Sequence, residues 1–350
     1  MDRSELPRVA VVIPTYNQSE HLPGAVESAY AQTYPGPLEV WVADDASTDD
    51  TAEVLGRLHD RFPRLRTITQ RENRGVAFNA SAALAAPETE FVVRLDSDDL
   101  LEPGYVARMV ELMVAHPDAG YAHTAVREID RQGVPGRALA LARRTGFVDG
   151  DTALRAALSG YRTVANVLMF RAGAIAAVGY YRERLDSTED YDLAIRLADA
   201  GYGNLYAGEI LARYRVWEDP GGVRARRKGL QLEGYRRIFD ETIVPCWRRR
   251  GWDLDAVRRR RARLAAHHAA SCFAPQYTEA ESRELVALLL AVGDGPEVRL
   301  RLALCERGLA PWVGRIDELP AAARRRLKEL ARRGRQLAGS LPNASEVAIW

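Results

Sequence analysis

Phe91-Val-Val-Arg-Leu-Asp-Ser-Asp-Asp99 is an apolar, β-rich run that ends in acid, and its reading decides the fold of this 350-residue chain. In open α/β sheets, ligands collect beyond the carboxyl ends of the strands. Hard carboxylate oxygens there, with few companions, suit Mg²⁺ or Mn²⁺ held together with a substrate's phosphates. The plain alternative is an acidic turn, because Asp side chains cap local backbone groups.

Outward from that run, Val9-Ala-Val-Val-Ile13 reads as a short, fully buried strand that breaks at Pro14-Thr15-Tyr16-Asn17. Ser19 and Glu20 start a helix whose Leu22, Val26 and Tyr30 recur at helical spacing up to Pro35. Leu38-Glu-Val-Trp-Val-Ala43 is a second strand, and it too ends in acid, at Asp44-Asp45-Ala-Ser-Thr48-Asp49. A carboxylate there can accept hydrogen bonds from a ribose or a base edge, and either Asp44 or Asp45 fits. Thr48 or Asp49 caps a helix through Val54, Leu55 and Leu58. Arg66-Thr-Ile-Thr69 is a third strand, and a helix of small residues runs from about Val76 to Ala86. Strand and helix alternate from residue 9 to about 116, which predicts an α/β fold with a doubly wound, mainly parallel sheet and helices on both faces.

Five segments carry a resemblance when taken in order: Val12-Ile-Pro-Thr-Tyr-Asn17, Asp44-Asp45-x-Ser-Thr-Asp49-x-Thr51, Asn73-x-Gly75, Leu95-Asp-Ser-Asp-Asp99 and Glu189-Asp190-Tyr-Asp192. Over roughly residues 7 to 220 the chain resembles the family-2 glycosyltransferases of the GT-A fold. That resemblance implies a nucleotide-diphospho-sugar donor, with UDP the expected nucleotide, a divalent metal (Mn²⁺ or Mg²⁺) and transfer with inversion at the anomeric carbon. It also implies roles. Asp98 of the DXD motif would hold the metal, and Asp96 would bind the ribose or the metal through water. Asp44 or Asp45 would read the base or ribose, with Pro14 and Tyr16 packed on the nucleoside and Arg71 beside it. Asp190 would be the general base. A cation neutralises the charge that grows on the leaving diphosphate, and direct displacement needs a base on the opposite face of the sugar. The other reading of Ser187-Thr-Glu-Asp190 is a cap for the helix Tyr191 to Ala200.

The chain departs from the family pattern in several places. Trp217 stands where many relatives carry a His after the pair Tyr214-Arg215, and Phe78 stands where Arg usually precedes the Asn that is Asn79 here. Nearby Arg224, Arg226 and Arg227 can pair with diphosphate oxygens, or they form a solvated helix start. The lack of a Gln-x-x-Arg-Trp stretch argues for single transfers rather than processive synthesis. No Gly-x-Gly-x-x-Gly follows a strand, which sets aside a dehydrogenase. No Gly-rich phosphate loop follows the first strand, which argues against a sugar nucleotidyltransferase. A non-catalytic nucleotide-sugar or partner-binding module is the remaining alternative, and intact Asp98 and Asp190 argue against it.

The formal net charge of +1 hides an asymmetry. Residues 224–350 hold 26 Lys plus Arg against 15 Asp plus Glu, net +11, and residues 1–223 hold 23 against 33, net −10. The expected organisation is a catalytic domain over 1–223 and a basic α-helical domain over 224–350. Arg258-Arg-Arg-Arg261 and Arg324-Arg-Arg326 lie there among Ala and Leu at helical spacing. Such faces are solvated, or they sit on anionic lipid where a lipid-linked acceptor would be found, a peripheral membrane contact. No zinc-finger spacing, RNA-binding aromatic motif or helix-turn-helix accompanies the Arg, which argues against nucleic acid. Cys246, Cys272 and Cys305 lack the paired spacing of a zinc site or disulfide framework. The apolar stretches are too short to span a bilayer, and Met1-Asp-Arg-Ser-Glu5 has no signal-peptide core, so a cytoplasmic location is expected. The acceptor has no legible pattern.

Overall fold

The computed structural model describes residues 5–160, 163, 167–185, 188–216 and 227–315. Ser187, Trp217, Arg224, Arg226 and the run Arg324–Arg326 lie outside these described residues. The chain divides into two compact units, 1–257 and 258–350. The division falls later than the change in composition at 223/224, and the helical segments between 228 and 249 therefore pack within the first unit.

One ten-stranded sheet forms the first unit's centre. Its strands are β1 Val9–Thr15, β2 Leu38–Asp44, β3 Arg66–Thr69, β4 Phe91–Arg94, β5 Leu100–Leu101, β6 Ala119–Ile129, β7 Pro135–Leu139, β8 Gly146–Val148, β9 Leu168–Arg171 and β10 Gly203–Arg215. The order is β3-β2-β1-β4-β9-β6-β10-β5, with β7 paired to β6 and β8 to β10. β3, β2, β1 and β4 are parallel, so their carboxyl ends share one edge. β9 runs antiparallel between β4 and β6, and β6 and β10 are parallel again.

Strand periodicity explains the layers. Along fully buried β1, Val9, Val11 and Ile13 pack to one face and Ala10 and Val12 to the other, the alternation that a pleated strand imposes. Each fully buried Val or Ile contributes roughly 1.5–3 kcal/mol, which makes the sheet centre a firm platform. The first face is covered by α1 Leu22–Tyr30, α2 Thr51–Arg61 and α4 Tyr105–Ala115. The second is covered by α3 Val76–Ala85, α6 Ala172–Val178 and α7 Glu189–Asp199. Ala77, Ala80 and Ala83 of α3 are fully buried against that face, where small side chains let helix and sheet approach closely. α5 Gly150–Ala157 is capped by Asp149, whose carboxylate accepts from Thr152 N–H at 2.9 Å.

Within the same unit, α8 Lys228–Arg237, a π-helical turn over Ile238–Ile243 and α9 Val244–Arg249 pack on the α7 side. Thr242 Oγ1 donates to buried Asp192 at 2.7 Å, and Arg196 Nε donates to its other oxygen at 2.7 Å. α10 Leu254–His268 runs through the division, and the second unit continues as α11 Glu279–Val292, α12 Pro296–Leu304 and α13 Ala310–Arg315. A reciprocal capping box between Thr278 and Glu281 opens α11. Cys246, Cys272 and Cys305 are buried free thiols. No helix among the described residues is long and apolar enough to cross a membrane.

Candidate active site at the acidic strand ends

The parallel strands β2, β1 and β4 end beside one another, with Thr15 paired to Asp44 and Val12 to Arg94. Beyond them opens a cleft of about 440 Å³ whose lining includes Pro14, Tyr16, Asp45, Asp96 and Asp98. That volume falls in the range of small-molecule sites, roughly 300–1,000 Å³. Asn73 and Gly75 close it from the loop before α3, and Arg227 and Leu230 from the start of α8.

The two acids after β2 separate by geometry. Asp44 is buried and turned into its own loop, where Oδ1 accepts from both the N–H and the hydroxyl of Ser47. Asp45 lines the cleft, and its two oxygens accept the N–H groups of Arg74 (3.0 Å) and Gly75 (2.9 Å). Gly75, at φ 90°, adopts the left-handed backbone that lets the chain turn into α3 there. Asn79 reaches back from α3 and donates to the carbonyl of Ala43 at 2.7 Å. Asn17, at φ 52°, accepts from Thr48 N–H at 2.8 Å and so ties the end of β1 to the loop after β2. Arg71 is exposed on the loop before α3 and does not line the cleft, unlike Asn73 and Gly75 of the same loop.

After β4 the chain turns so that Asp96, Ser97 and Asp98 face the cleft while Asp99 turns inward and is buried. Burial, followed by the charges of Asp98 and Asp96, pushes the Asp99 carboxyl well above the usual carboxylate range. Its Oδ1 accepts Arg215 N–H at 2.8 Å. The Arg215 side chain completes a clamp: Nε donates to the Asp98 carbonyl at 2.8 Å, and Nη1 donates to the carbonyls of Asp130 (2.6 Å) and Arg131 (2.8 Å).

Asp190 sits in the first turn of α7 and is buried. It does not cap that helix: Thr188, at the cap position, makes no side-chain cap bond, and the Asp190 carboxylate instead accepts Arg94 Nη1 at 2.9 Å. The Nε of the same guanidinium donates to Asp96 at 2.9 Å. Burial raises the Asp190 pKa above the ordinary carboxylate value, Arg94 pulls it back and Asp96 adds to the rise. Asp190 does not line the cleft itself; it borders a small hollow with Tyr121, Leu168, Phe170 and Leu193. Sequence reasoning passed over Arg94, although an Arg inside the run Val92-Val93-Arg94-Leu95 announces that acids must meet it in the interior.

Among the described residues no three His, Cys, Asp or Glu gather as a ready-made metal cage. Asp96 and Asp98 do present hard oxygen donors to the cleft. Mg²⁺ and Mn²⁺ sites often take one or two protein carboxylates, with substrate phosphates and water supplying the rest, so these residues fit such an ion.

Sheet order, acidic strand ends and the helix carrying Asp190 together define a GT-A fold. Residues 10–172 match the model of Glycosyl transferase family 2, and the chain belongs to that family. It is 32% identical over 240 residues to the succinoglycan biosynthesis protein ExoU of Rhizobium meliloti, covering 66% of each chain. Of two other curated relatives it spans only 26% and 27% of the full length. Among solved structures it is similar to S. aureus TarS 1–349 in complex with UDP-GlcNAc (TM-score 0.62, 16% identical, covering 88% of this chain and 90% of that one). It is also similar to the mannosyltransferase PcManGT of Pyrobaculum calidifontis in complex with GDP-Man and Mn²⁺ (TM-score 0.54, 23% identical, covering 88% and 82%). At these identities the structural likeness speaks to the fold.

Proposed function

We propose that this chain transfers one sugar at a time from a nucleotide-diphospho-sugar, UDP-linked, to an acceptor hydroxyl, with inversion at the anomeric carbon. One observation carries the reading: Asp45, Asp96 and Asp98 line a single cleft, and Asp190 lies one guanidinium away from Asp96. In this account Pro14 and Tyr16 pack on the nucleoside, and Asp45, with Asn73 and Gly75, meets the base and ribose. Asp44 and Arg71 are left out of donor contact, because neither lines the cleft. Arg227, on the cleft wall, receives the anionic diphosphate.

Asp98, with Asp96, would hold the divalent ion. When bound, such an ion neutralises charge on the departing diphosphate. The acceptor oxygen bonds to the anomeric carbon as the sugar–phosphate bond breaks, and the electron pair leaves with the diphosphate. The hydroxyl proton passes to Asp190 Oδ, whose raised pKa brings it nearer the value at which a carboxylate is an effective base. The neighbours solved with UDP-GlcNAc and with GDP-Man and Mn²⁺ support a nucleotide-sugar donor.

The test measures nucleoside diphosphate release from UDP-glucose, UDP-N-acetylglucosamine and GDP-mannose with Mn²⁺, for the parent protein and for Asp190→Asn. The parent should release nucleotide from one donor in preference to the others, and Asp190→Asn should lower kcat by roughly 10²-fold or more with donor binding nearly intact. An Asp190→Asn variant with parental kcat contradicts the assignment of the base.

A further inference from the structure

We infer that Arg94 is the positioning residue of this site: one buried guanidinium holds Asp190 and Asp96 in a fixed register, so that the base is aligned from the donor cleft. The inference rests on the proposed role of Asp190 and adds to it a means of alignment.

On β4, Phe91 and Val93 pack to the α1 and α4 face and Val92 to the α3, α6 and α7 face. Alternation therefore sends the side chain of Arg94 into the second layer, beneath the start of α7. It is 2% exposed there. A cation so far from water persists only where acids surround it, and they do. Nε meets Asp96 at 2.9 Å, Nη1 meets Asp190 at 2.9 Å, and Glu189 lies 3.9 Å from Nη1. The guanidinium also lies 5.1 Å from the Tyr181 ring centroid. Burial works against the Arg94 charge, but Asp190, Asp96 and their neighbours outweigh it and hold its pKa well above the ordinary value.

Two features separate this arrangement from simple neutralisation of buried acids. First, the two carboxylates are taken by different nitrogens of one rigid plane, so their separation is set by the guanidinium itself; a lysine ammonium is a single point charge and cannot reproduce that fork. Second, the cap position of α7, Thr188, makes no side-chain cap bond, and the Asp190 carboxylate accepts its hydrogen bond from Arg94 on another element. Its pose is set from β4, the strand that leads directly into the donor-side acids. A ligand that moves Asp96 therefore moves the plane that aims Asp190.

The experiment compares the parent with Arg94→Lys, Arg94→Met, Asp190→Asn and the double variant Arg94→Lys/Asp190→Asn. It follows nucleoside diphosphate release from UDP-glucose, UDP-N-acetylglucosamine and GDP-mannose with Mn²⁺ and water as acceptor. Arg94→Lys keeps the buried charge and serves where Arg94→Met fails to fold by circular dichroism. A misplacement of about 1 Å can cost roughly 10²-fold in rate, so Arg94→Lys should lower kcat by at least about 10-fold while the donor KM stays within about 3-fold. Placed on Asp190→Asn, it should cost less than about 2-fold more, because a misaligned base that is already absent cannot be lost twice. A kcat for Arg94→Lys within about 2-fold of the parent, a loss confined to KM, or a loss that multiplies in full with that of Asp190→Asn overturns the inference. A parent that releases nucleotide from none of the three sugars contradicts the transferase reading and takes the inference with it. Turnover by the parent with an unimpaired Arg94→Lys refutes the inference alone.

Discussion

Replacing Arg215 by Met should loosen the acidic loop after β4 without removing any acid from it. The guanidinium donates to three carbonyls, those of Asp98, Asp130 and Arg131. A hydrogen bond from a charged donor is worth about 1.5–3 kcal/mol, but the three are not equal here. Asp130 and Arg131 are exposed, so water can take over at those carbonyls, and the Asp98 carbonyl with part of the others leaves a net loss of about 3 kcal/mol. The Met chain keeps most of the apolar contact of the Arg stem, and the bond from Arg215 N–H to Asp99 survives because it belongs to the backbone. For a folded unit of this size, about 3 kcal/mol corresponds to a fall in Tm of roughly 6–12 °C. Scanning calorimetry of parent and variant measures it, with Arg127→Met as the control, since half-buried Arg127 donates to the carbonyl of exposed Gly136. Affinity for UDP should fall together with Tm, because the clamped carbonyl belongs to Asp98 itself. A variant that melts within about 2 °C of the parent refutes the clamp as a source of stability.

Gly234 on α8 faces Thr188, where an added Cβ would stand 2.2 Å from Oγ1 and 3.1 Å from Cβ. Gly234→Ala should therefore cost about 1–3 kcal/mol by overpacking and, by pushing on the residue before α7, reduce turnover more than nucleotide affinity; an unchanged denaturation midpoint would count against the contact. His123 is buried, and burial, followed by the charge of Arg143, lowers its pKa to about 3. A depressed pKa means the folded protein refuses a proton that the unfolded chain accepts, so the stabilising effect is complete above about pH 6.5 and is lost as pH falls toward 3. Urea unfolding between pH 6 and 4 should show the parent losing roughly 1.4 kcal/mol per pH unit more than His123→Phe. Parallel curves for the two proteins would refute the buried neutral imidazole.

Much of this architecture was legible because local and global signals agree. β-branched runs that stop at Pro14 and at Asp44, and alternating apolar helices, dictate a parallel sheet whose acidic ends meet at one edge. β9 was not legible in the same way. Leu168-Met-Phe-Arg171 is apolar on nearly every residue and carries no mark of direction, so its antiparallel insertion between β4 and β6 emerges only in three dimensions. Asp44 and Asp45 look equivalent in sequence, and adjacent residues at the end of an extended strand point to opposite sides, so that one meets Ser47 and the other lines the cleft. Composition misleads about helix membership for a physical reason. The basic residues of 236–250 pair with acids of the first unit and of their own helices, as Arg250 does with Asp199, so a change in charge does not mark a change in packing. Arg94 shows the reverse case, a charge with one partner two residues on at Asp96 and another 96 residues away in sequence at Asp190, brought to it by the fold.

The most direct test of the central claim, that the cleft beyond β1, β2 and β4 is a nucleoside diphosphate site, is calorimetric titration with UDP, GDP and dTDP. Each is titrated with Mn²⁺ and again with excess chelator, into the parent and into Asp98→Ala. The account predicts preferential binding of UDP by the parent with Mn²⁺, and loss of the metal-stimulated part both with chelator and in Asp98→Ala. A folded parent that binds none of the three nucleotides, or an Asp98→Ala variant with an unchanged Mn²⁺ dependence, would contradict it.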